Sequence, residues 1–347
     1  MKTIRYPMTR DYRSNWGCVE AVRELVQNCL DNRNNPSTYT LSIDGTITIT
    51  TKDYELPMSA FALGESYKES DNSIGRFGEG FKLAMMILTR EGRDPYIMFG
   101  TKLVEFAFAF DELLGVDVFE ARIEDQLTKF NGLTFKFSFP NGQIEVLKER
   151  VNVFADDVLP LPNTVDVIEH KPGTVMVNGL FICEEAKFKY GYNFAPTKIE
   201  LGCDRQIANT FGMAWETSKI WAEKLTSSNA DEVLSMMSND QMDVANISYH
   251  LSDSKAKLIT EAFVMRFGHV EIKPMGSGLS YGMSVGGGLY NTMRKSGYTK
   301  VAKPHEEPNT PYRLLKELVE QEKKHMRAHA RRALNKLLEQ SKGWKNE

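Results

Sequence analysis

The chain lacks the features that assign a sequence to a membrane, secreted or disulfide-stabilised class. Its 347 residues include no apolar run near the roughly 18 residues of a membrane span, and the N-terminal residues do not follow the pattern of a signal peptide. Four cysteines show neither metal-ligand spacing nor a disulfide framework. A formal net charge of −3 argues against wholesale coating of nucleic acid, although it leaves local basic patches open. We therefore expect a cytoplasmic globular protein without a membrane partner.

A Walker A phosphate loop is also absent, although one glycine cluster stands out. The cluster reads Gly75-Arg76-Phe77-Gly78-Glu79-Gly80-Phe81-Lys82. Lys82 is followed by leucine rather than Ser or Thr, and no strand runs directly into the cluster, so neither the Walker A nor the Rossmann pattern applies. Glycines let a backbone approach a ligand closely, and the apolar run 81–88 predicts a helix whose N-terminus would attract phosphate. A tight structural loop before a core helix is the alternative.

A second segment, residues 16–33, has helical periodicity. At 100° per residue its apolar side chains form one broad arc, made of Val19, Val22, Leu25, Val26, Cys29 and Leu30. Glu24, Asn28 and Asp31 follow the spacing i, i+4, i+7 and stack within roughly 60° on the opposite face. A solvated helix face is the ordinary interpretation of such a triplet. Asparagine is a poor helix former that contributes little to a merely wet face, and this favours a polar site.

Together the two segments resemble the GHKL superfamily, which includes DNA gyrase, heat-shock chaperones, MutL, MORC proteins and sensor histidine kinases. Residues 24–31 match its N-box and residues 75–82 match its glycine box, in this order and about 45 residues apart. The resemblance covers roughly residues 10–140. Beyond them the chain is more faintly similar to small phage and bacterial GHKL-type proteins, and a phage origin would make the compartment the host cytoplasm. The resemblance implies an α+β fold, a Bergerat-type α/β sandwich with helices on one face of a mixed sheet.

The resemblance also implies ATP and Mg²⁺ as cofactors. Glu24 would orient and deprotonate the attacking water as general base, and Asn28 would bind Mg²⁺ through its side-chain oxygen. Asp31 would support the same wall or the adenine end. The phosphates would be held by the glycine box, with Lys82 neutralising developing charge; its other members are Gly75, Phe77, Gly78, Glu79, Gly80 and Phe81.

The family places two further side chains near the adenine, an aspartate after a strand and a threonine on a late strand. Apolar and polar residues alternate on both sides of Asp44-Gly45, and this pattern predicts a β-hairpin. Asp53, just beyond the hairpin, is the candidate aspartate. The chain lacks the glycines of the family's Asp-x-Gly-x-Gly pattern, so a turn acid is the alternative. Thr134, in the alternating stretch 132–137, is the candidate threonine, and the stretch 173–177 is a competing match.

Composition and patterning predict three sections. Residues 1–144 would form the ATP-binding domain, residues 145–304 a second, transducer-like α+β domain, and residues 305–347 a basic C-terminal helix. Residues 55–74 make a plausible mobile lid. Arg205 is a candidate for a cation that completes the site from the second section, and a structural salt bridge is the alternative. The glycine-dense stretch 276–288 suits either phosphate or a flexible loop, of which the loop is favoured.

The C-terminal section has ten Lys and Arg against five acids from residue 311 onward, a net charge of +5. Such a helix either packs as an amphipathic element or contacts nucleic acid or an acidic protein partner. Three functions follow: an ATPase whose ATP-driven closure or dimerisation acts on a macromolecule, a nucleotide-binding interaction protein with negligible hydrolysis such as a phage factor that engages a host component, and a histidine kinase. The third is weakest, because the six histidines are scattered and none lies in a phosphoacceptor box.

Overall fold

The computed structural model describes residues 1–31, 35–63, 80–201, 207, 210–276 and 282–301. Within these residues the chain is α+β, so the predicted class is confirmed. The chain divides into two compact units, of which the first comprises Met1–Ile220 with Gln241–Asp243. The second comprises Trp221–Asp240 and the described residues from Val244 onward. The domain boundaries predicted after residues 144 and 304 stay predictions.

The first unit contains a five-stranded sheet in the order β1-β5-β3-β2, with β4 on the other flank of β5. The strands are β1 (Lys2–Tyr6), β2 (Ser37–Leu41), β3 (Thr46–Thr51), β4 (Tyr96–Asp111) and β5 (Val116–Ser138). Each pairing among these described strands is antiparallel. The β2–β3 hairpin confirms the turn predicted at Asp44-Gly45, where Gly45 has a φ of +80° that glycine accepts without strain.

Helices cover one face of this sheet. They are α1 (Cys18–Asp31), α2 (Gly80–Arg90) and α3 (Ile144–Arg150). The predicted apolar arc of α1 is buried in a core that it shares with α2 and the sheet. Ile47 and Ile49 of β3 join that core, whereas Thr48 and Thr50 between and beyond them are half-buried on the other face. The alternation of β3 thus fixes which side chains face the helices.

A second, four-stranded sheet follows in the same unit, and it contains one parallel pair of strands. Its strands are β6 (Val165–Ile168), β7 (Thr174–Val177), β8 (Leu180–Glu184) and β9 (Gly191–Phe194), in the order β6-β9-β7-β8, with β7 parallel to β9. A Cβ atom on Gly191 would lie 2.3 Å from the main-chain oxygen of Lys171, so only glycine fits there. The buried carboxylate of Asp243 accepts hydrogen bonds from Tyr192 and from two main-chain N–H groups, and these bonds fix the start of β9.

Helices dominate the remaining part of the described chain. They are α4 (Thr210–Lys224), which spans the division between the units, α5 (Ala230–Ser238), α6 (Ile247–His250), α7 (Asp253–Phe267) and α8 (Gly287–Lys295). Two short strands, β10 (Ile272–Pro274) and β11 (Met283–Val285), pair in parallel. Among the described helices, none combines the length and apolar character that crossing a membrane requires.

Candidate functional site

Helix α1 presents Glu24 and Asn28 one turn apart, as the sequence pattern predicts. Glu24 is only 1% exposed, so the solvated-face interpretation does not hold for this carboxylate. The Nδ2 atom of Asn28 donates a hydrogen bond to the main-chain oxygen of Glu24 at 2.8 Å. Because this bond engages the amide nitrogen, Oδ1 is the Asn28 atom that suits a metal ion.

The first residue of α2 packs directly against these two side chains. A Cβ atom on Gly80 would lie 2.8 Å from Oε2 of Glu24 and 3.1 Å from Nδ2 of Asn28. Gly80 does not have a positive φ, so its backbone conformation is open to other residues. A larger residue at this position would therefore displace the end of the Glu24 side chain. The last glycine of the cluster therefore meets the acid and the amide of the first helix.

The Glu24 carboxylate faces two different neighbours. Its Oε1 atom lies 3.8 Å from Nη2 of Arg23, while Oε2 is the atom beside Gly80. Lys82, in the first turn of α2, is also 1% exposed, and its Nζ atom lies 4.9 Å from the ring centroid of Phe81. Burying an ionised side chain costs free energy unless polar or charged groups compensate it, and ordinary cores rarely contain such groups. A buried carboxylate on α1 and a buried ammonium group on α2 are therefore more typical of a functional site than of ordinary core packing.

A metal ion at this site would depend on few protein ligands. Within the ranges described above, no three His, Cys, Asp or Glu side chains are grouped so as to hold a metal ion. Mg²⁺ in phosphate sites usually takes one or two protein ligands and completes its octahedron with phosphate oxygens and water. The orientation of the Asn28 amide fits that donor set, with Oδ1 as the single protein ligand.

A cavity of about 160 Å³ opens beside Lys82. Its other lining residues are Pro7, Met8, Tyr12, Leu63 and Leu83. The lining is mainly apolar, with one ammonium group and one phenol. Pockets for small molecules usually enclose roughly 300–1,000 Å³, and this cavity is smaller than that range.

Several predicted site residues lie outside the described part of the chain. These are Gly75, Phe77, Gly78, Glu79 and Arg205, together with residues 64–74 of the predicted lid, residues 277–281 and the basic segment 305–347. Their roles stay predictions. Asp31 is described: it is the last residue of α1 and is partly buried. Phe81 and Lys82 lie in the first turn of α2, next to Gly80.

Asp53 occupies an exposed turn after β3 rather than the face that the helices cover. Its φ is +54°, and its Oδ1 atom accepts a hydrogen bond from Nδ2 of Asn131 at 2.7 Å. Asn35 also donates to its main-chain oxygen. The structure therefore gives Asp53 the contacts of a turn acid, and it does not bring the side chain to Glu24 and Asn28. A role in binding adenine stays a prediction.

Thr134 lies on the face of the first sheet that points away from the helices. Its β5 neighbours Leu133 and Phe135 are buried in the core with α1 and α2, so alternation directs Thr134 to the opposite side. There its hydroxyl bonds to that of Thr50 at 3.0 Å. The competing threonine, Thr174, begins β7 in the second sheet. The structure brings neither of them to the buried face of α1.

Sequence reasoning missed Thr51, the polar side chain of β3 that does face α1. Thr51 is buried, its hydroxyl bonds to that of Ser37 at 2.6 Å, and it lies 4.0 Å from Sγ of Cys29. Cys29 directly follows Asn28, so Thr51 borders the same half of α1. The signal was present in the sequence, because Thr51 has the same parity as Ile47 and Ile49 in the predicted strand.

No protein-family model matches this chain, and no curated protein matches it. The resemblance to GHKL ATPases thus depends on residues 24–31 and 75–82 alone. Of these two segments, the structure describes the first and the last three residues of the second, and it brings Gly80 against Glu24 and Asn28.

Proposed function

We propose that the chain binds Mg-ATP between α1 and the N-terminus of α2 and hydrolyses it. The main support is the approach of Gly80 to Glu24 and Asn28, at 2.8 and 3.1 Å from where a Cβ atom would lie. Two segments about 45 residues apart, one with an acid and an amide and one rich in glycine, meet at one point of the fold. This meeting is what a triphosphate site built from an acidic helix and a glycine cluster needs.

The side chains at this point suit phosphoryl transfer to water. Glu24, with a buried carboxylate, is the general base that orients a water molecule and takes its proton. The N-terminal N–H groups of α2 carry partial positive charge and suit the phosphates, and the Lys82 ammonium follows within the same turn. Mg²⁺ bound at Asn28 Oδ1 would neutralise charge on the phosphate oxygens. Most catalysis of phosphoryl transfer comes from such positioning and charge stabilisation.

For the biological role of the proposed ATPase we propose only a class of action. In a cytoplasmic setting, ATP would drive closure or homodimerisation that acts on a macromolecule, a protein or a nucleic acid. The net charge of +5 in residues 311–347 favours an acidic partner surface. Arg205 is the proposed source of a further cation near the phosphates.

A steady-state assay of phosphate release with Mg-ATP tests the proposal. Glu24→Gln should lower turnover at least about 100-fold, because general-base catalysis typically contributes that much, while nucleotide affinity changes little. Glu145→Gln, at an exposed acid of α3, is the matched control and should leave turnover unchanged.

The alternative functions give different results in the same preparation. Binding of Mg-ATP without phosphate release in the wild-type protein would favour a nucleotide-binding interaction protein. Transfer of labelled phosphate from ATP to the chain itself would favour a histidine kinase. Absence of both binding and hydrolysis would contradict the proposed function.

A further inference from the structure

Strand β4 forms an outer edge of the first sheet. Its partner β5 is flanked on the other side by β1 and β3, and within the described part of the chain β4 pairs with β5 alone. The outward N–H and C=O groups of a 16-residue strand therefore have no described strand opposite them. Such an edge is a template for pairing with another strand, and proteins usually protect it.

The protective devices of β4 are confined to its first half. The register shifts against β5 fall between Phe99 and Lys102, and Lys102 is the lysine of this edge. From Lys102 to Asp111 the register is regular. That second half reads Leu103-Val104-Glu105-Phe106-Ala107-Phe108-Ala109-Phe110-Asp111 and has one charged residue before its end. Phe has high β-propensity, and a regular, proline-free edge with few charges is well suited to strand addition.

The end of the β4–β5 hairpin exposes large apolar side chains next to this edge. Leu113 is 93% exposed and Phe110 is 59% exposed, and Leu114 and Val116 are also exposed. Exposed apolar residues are ordinary when they are scattered, whereas these four lie within seven consecutive positions, and we refer to them as the hairpin patch. Phe110 continues the row of aromatic side chains that Phe106 and Phe108 begin on the same face of β4. The rings of Phe106 and Phe108 pack on Phe119 in the core.

We propose that β4 pairs with β4 of a second copy of this chain, in antiparallel orientation about a two-fold axis at Ala107. Each residue before Ala107 then lies opposite the residue equally far beyond it in the other copy. Phe106 faces Phe108 of the partner subunit, and Val104 faces Phe110 of the partner subunit. The two five-stranded sheets join into one continuous sheet, and the exposed Phe110 gains an apolar neighbour.

Charge selects this register over its neighbours. Lys102 already pairs with Asp125 of β5. With the axis at Ala107 it would also lie near Glu112 of the partner subunit, the first residue after β4, and this contact would occur twice by symmetry. An axis at Phe108 would set Glu105 against Asp111 of the partner subunit, and like charges directly opposite destabilise a strand pair. An axis at Phe106 brings no opposite charges together.

Cysteine cross-linking tests the register directly. Residues directly opposite in an antiparallel pair have Cα atoms about 4.5–5.5 Å apart, a separation that a disulfide accepts. Ala107→Cys should therefore give a covalent dimer on mild oxidation, seen on a non-reducing gel. Ala109→Cys is the matched control, since its two copies would be offset by four residues, roughly 13 Å. The wild-type chain, oxidised in the same way, is the control for cross-linking through the native cysteines.

Light scattering of the full chain without nucleotide tests the dimer itself. The wild-type protein should have the mass of a dimer, Glu112→Lys should shift it toward the monomer, and Lys102→Glu combined with Glu112→Lys should restore the dimer. A monomeric wild type, equal cross-linking at positions 107 and 109, or no restoration by the charge exchange would overturn the proposal. Because no nucleotide is present, each of these results leaves the proposed ATP site to its own assay.

Discussion

Gly80 and Glu24 approach so closely that a single methyl group on residue 80 would displace the carboxylate. The Oε2 atom of Glu24 lies 2.8 Å from the place where a Cβ atom of residue 80 would stand. Non-bonded carbon and oxygen atoms essentially never come this near, so the flexible end of Glu24 would move. The geometry thus links the glycine cluster to the orientation of the proposed base.

This contact predicts the effect of Gly80→Ala. Alanine favours a helix by about 1 kcal/mol over glycine, and only the end of a flexible side chain must move, so the free energy of unfolding should change little. Turnover of Mg-ATP should fall at least about tenfold, because the base loses its position. Chemical denaturation and a phosphate-release assay on the same protein measure both quantities.

Gly287→Ala is the matched control for that variant. Gly287 is the first residue of α8, as Gly80 is of α2, and a Cβ atom there would meet nothing within 4 Å. It should keep wild-type turnover. Equal activity of Gly80→Ala and the wild type would show that the approach to Glu24 has no bearing on catalysis.

Asn28→Ala should weaken the dependence of nucleotide binding on Mg²⁺. The substitution removes the amide oxygen that the proposed ion would take, and we expect affinity for Mg-ATP to fall at least about tenfold, or 1.4 kcal/mol. Affinity for ATP in the presence of a chelator should change much less. Calorimetry with and without Mg²⁺ separates the two effects, and an equal loss under both conditions would argue against Asn28 as a metal ligand.

Thr51→Val and Thr134→Val form a pair that reports which face of the sheet borders the nucleotide. Each change removes one hydroxyl that bonds to another, Ser37 in the first case and Thr50 in the second. Each should cost about 1 kcal/mol of stability. Only Thr51→Val should weaken ATP binding, since Thr51 faces α1. The reverse result would restore Thr134 to the role that the family resemblance implies.

Periodicity alone predicts correctly that Glu24 and Asn28 share one face of a helix. One turn of helix separates Glu24 from Asn28 in any α-helix, so their common face follows from spacing. Periodicity does not identify the partner of that face, and the approach of Gly80 depends on how α1 and α2 pack. The position of Asp53 after a strand suggests the aspartate that binds adenine. The chain turns there with a positive φ, and the Asp53 side chain accepts a hydrogen bond from Asn131.

The fold was predictable in the same partial way. The alternation of β3 and the Asp44-Gly45 turn specify the hairpin locally. In the sequence, no local pattern signals the exceptional length of β5, which pairs with three neighbouring strands. Nor did it indicate that Asp243 would join the first unit by accepting hydrogen bonds from the start of β9. These features depend on contacts between residues far apart in the chain, which local patterns do not encode.

The burial of Tyr6 predicts that the folded state loses stability at alkaline pH. Burial raises the pKa of Tyr6 above its ordinary value of 10.0, and its hydroxyl donates to the main-chain oxygen of Phe61 at 2.9 Å. The folded state therefore keeps a proton that the unfolded chain releases. The stabilisation is complete below the unfolded pKa and declines as the pH rises above 10.0.

Tyr6→Phe tests that prediction. It should lower the free energy of unfolding by about 1 kcal/mol at neutral pH, because the hydrogen bond is lost. It should also reduce the slope of stability against pH in alkali, since one titrating phenol is removed. Urea denaturation at a series of pH values measures both. An unchanged slope would mean that Tyr6 ionises equally in the folded and unfolded states.

Calorimetric titration of the wild-type chain with a non-hydrolysable ATP analogue, with Mg²⁺ present and then removed, tests the central claim most directly. A triphosphate and its metal ion lying between the acidic helix and the glycine cluster should give saturable, Mg²⁺-dependent binding that Asn28→Ala weakens and Glu145→Gln leaves unchanged. No heat of binding in the presence of Mg²⁺ would contradict the account.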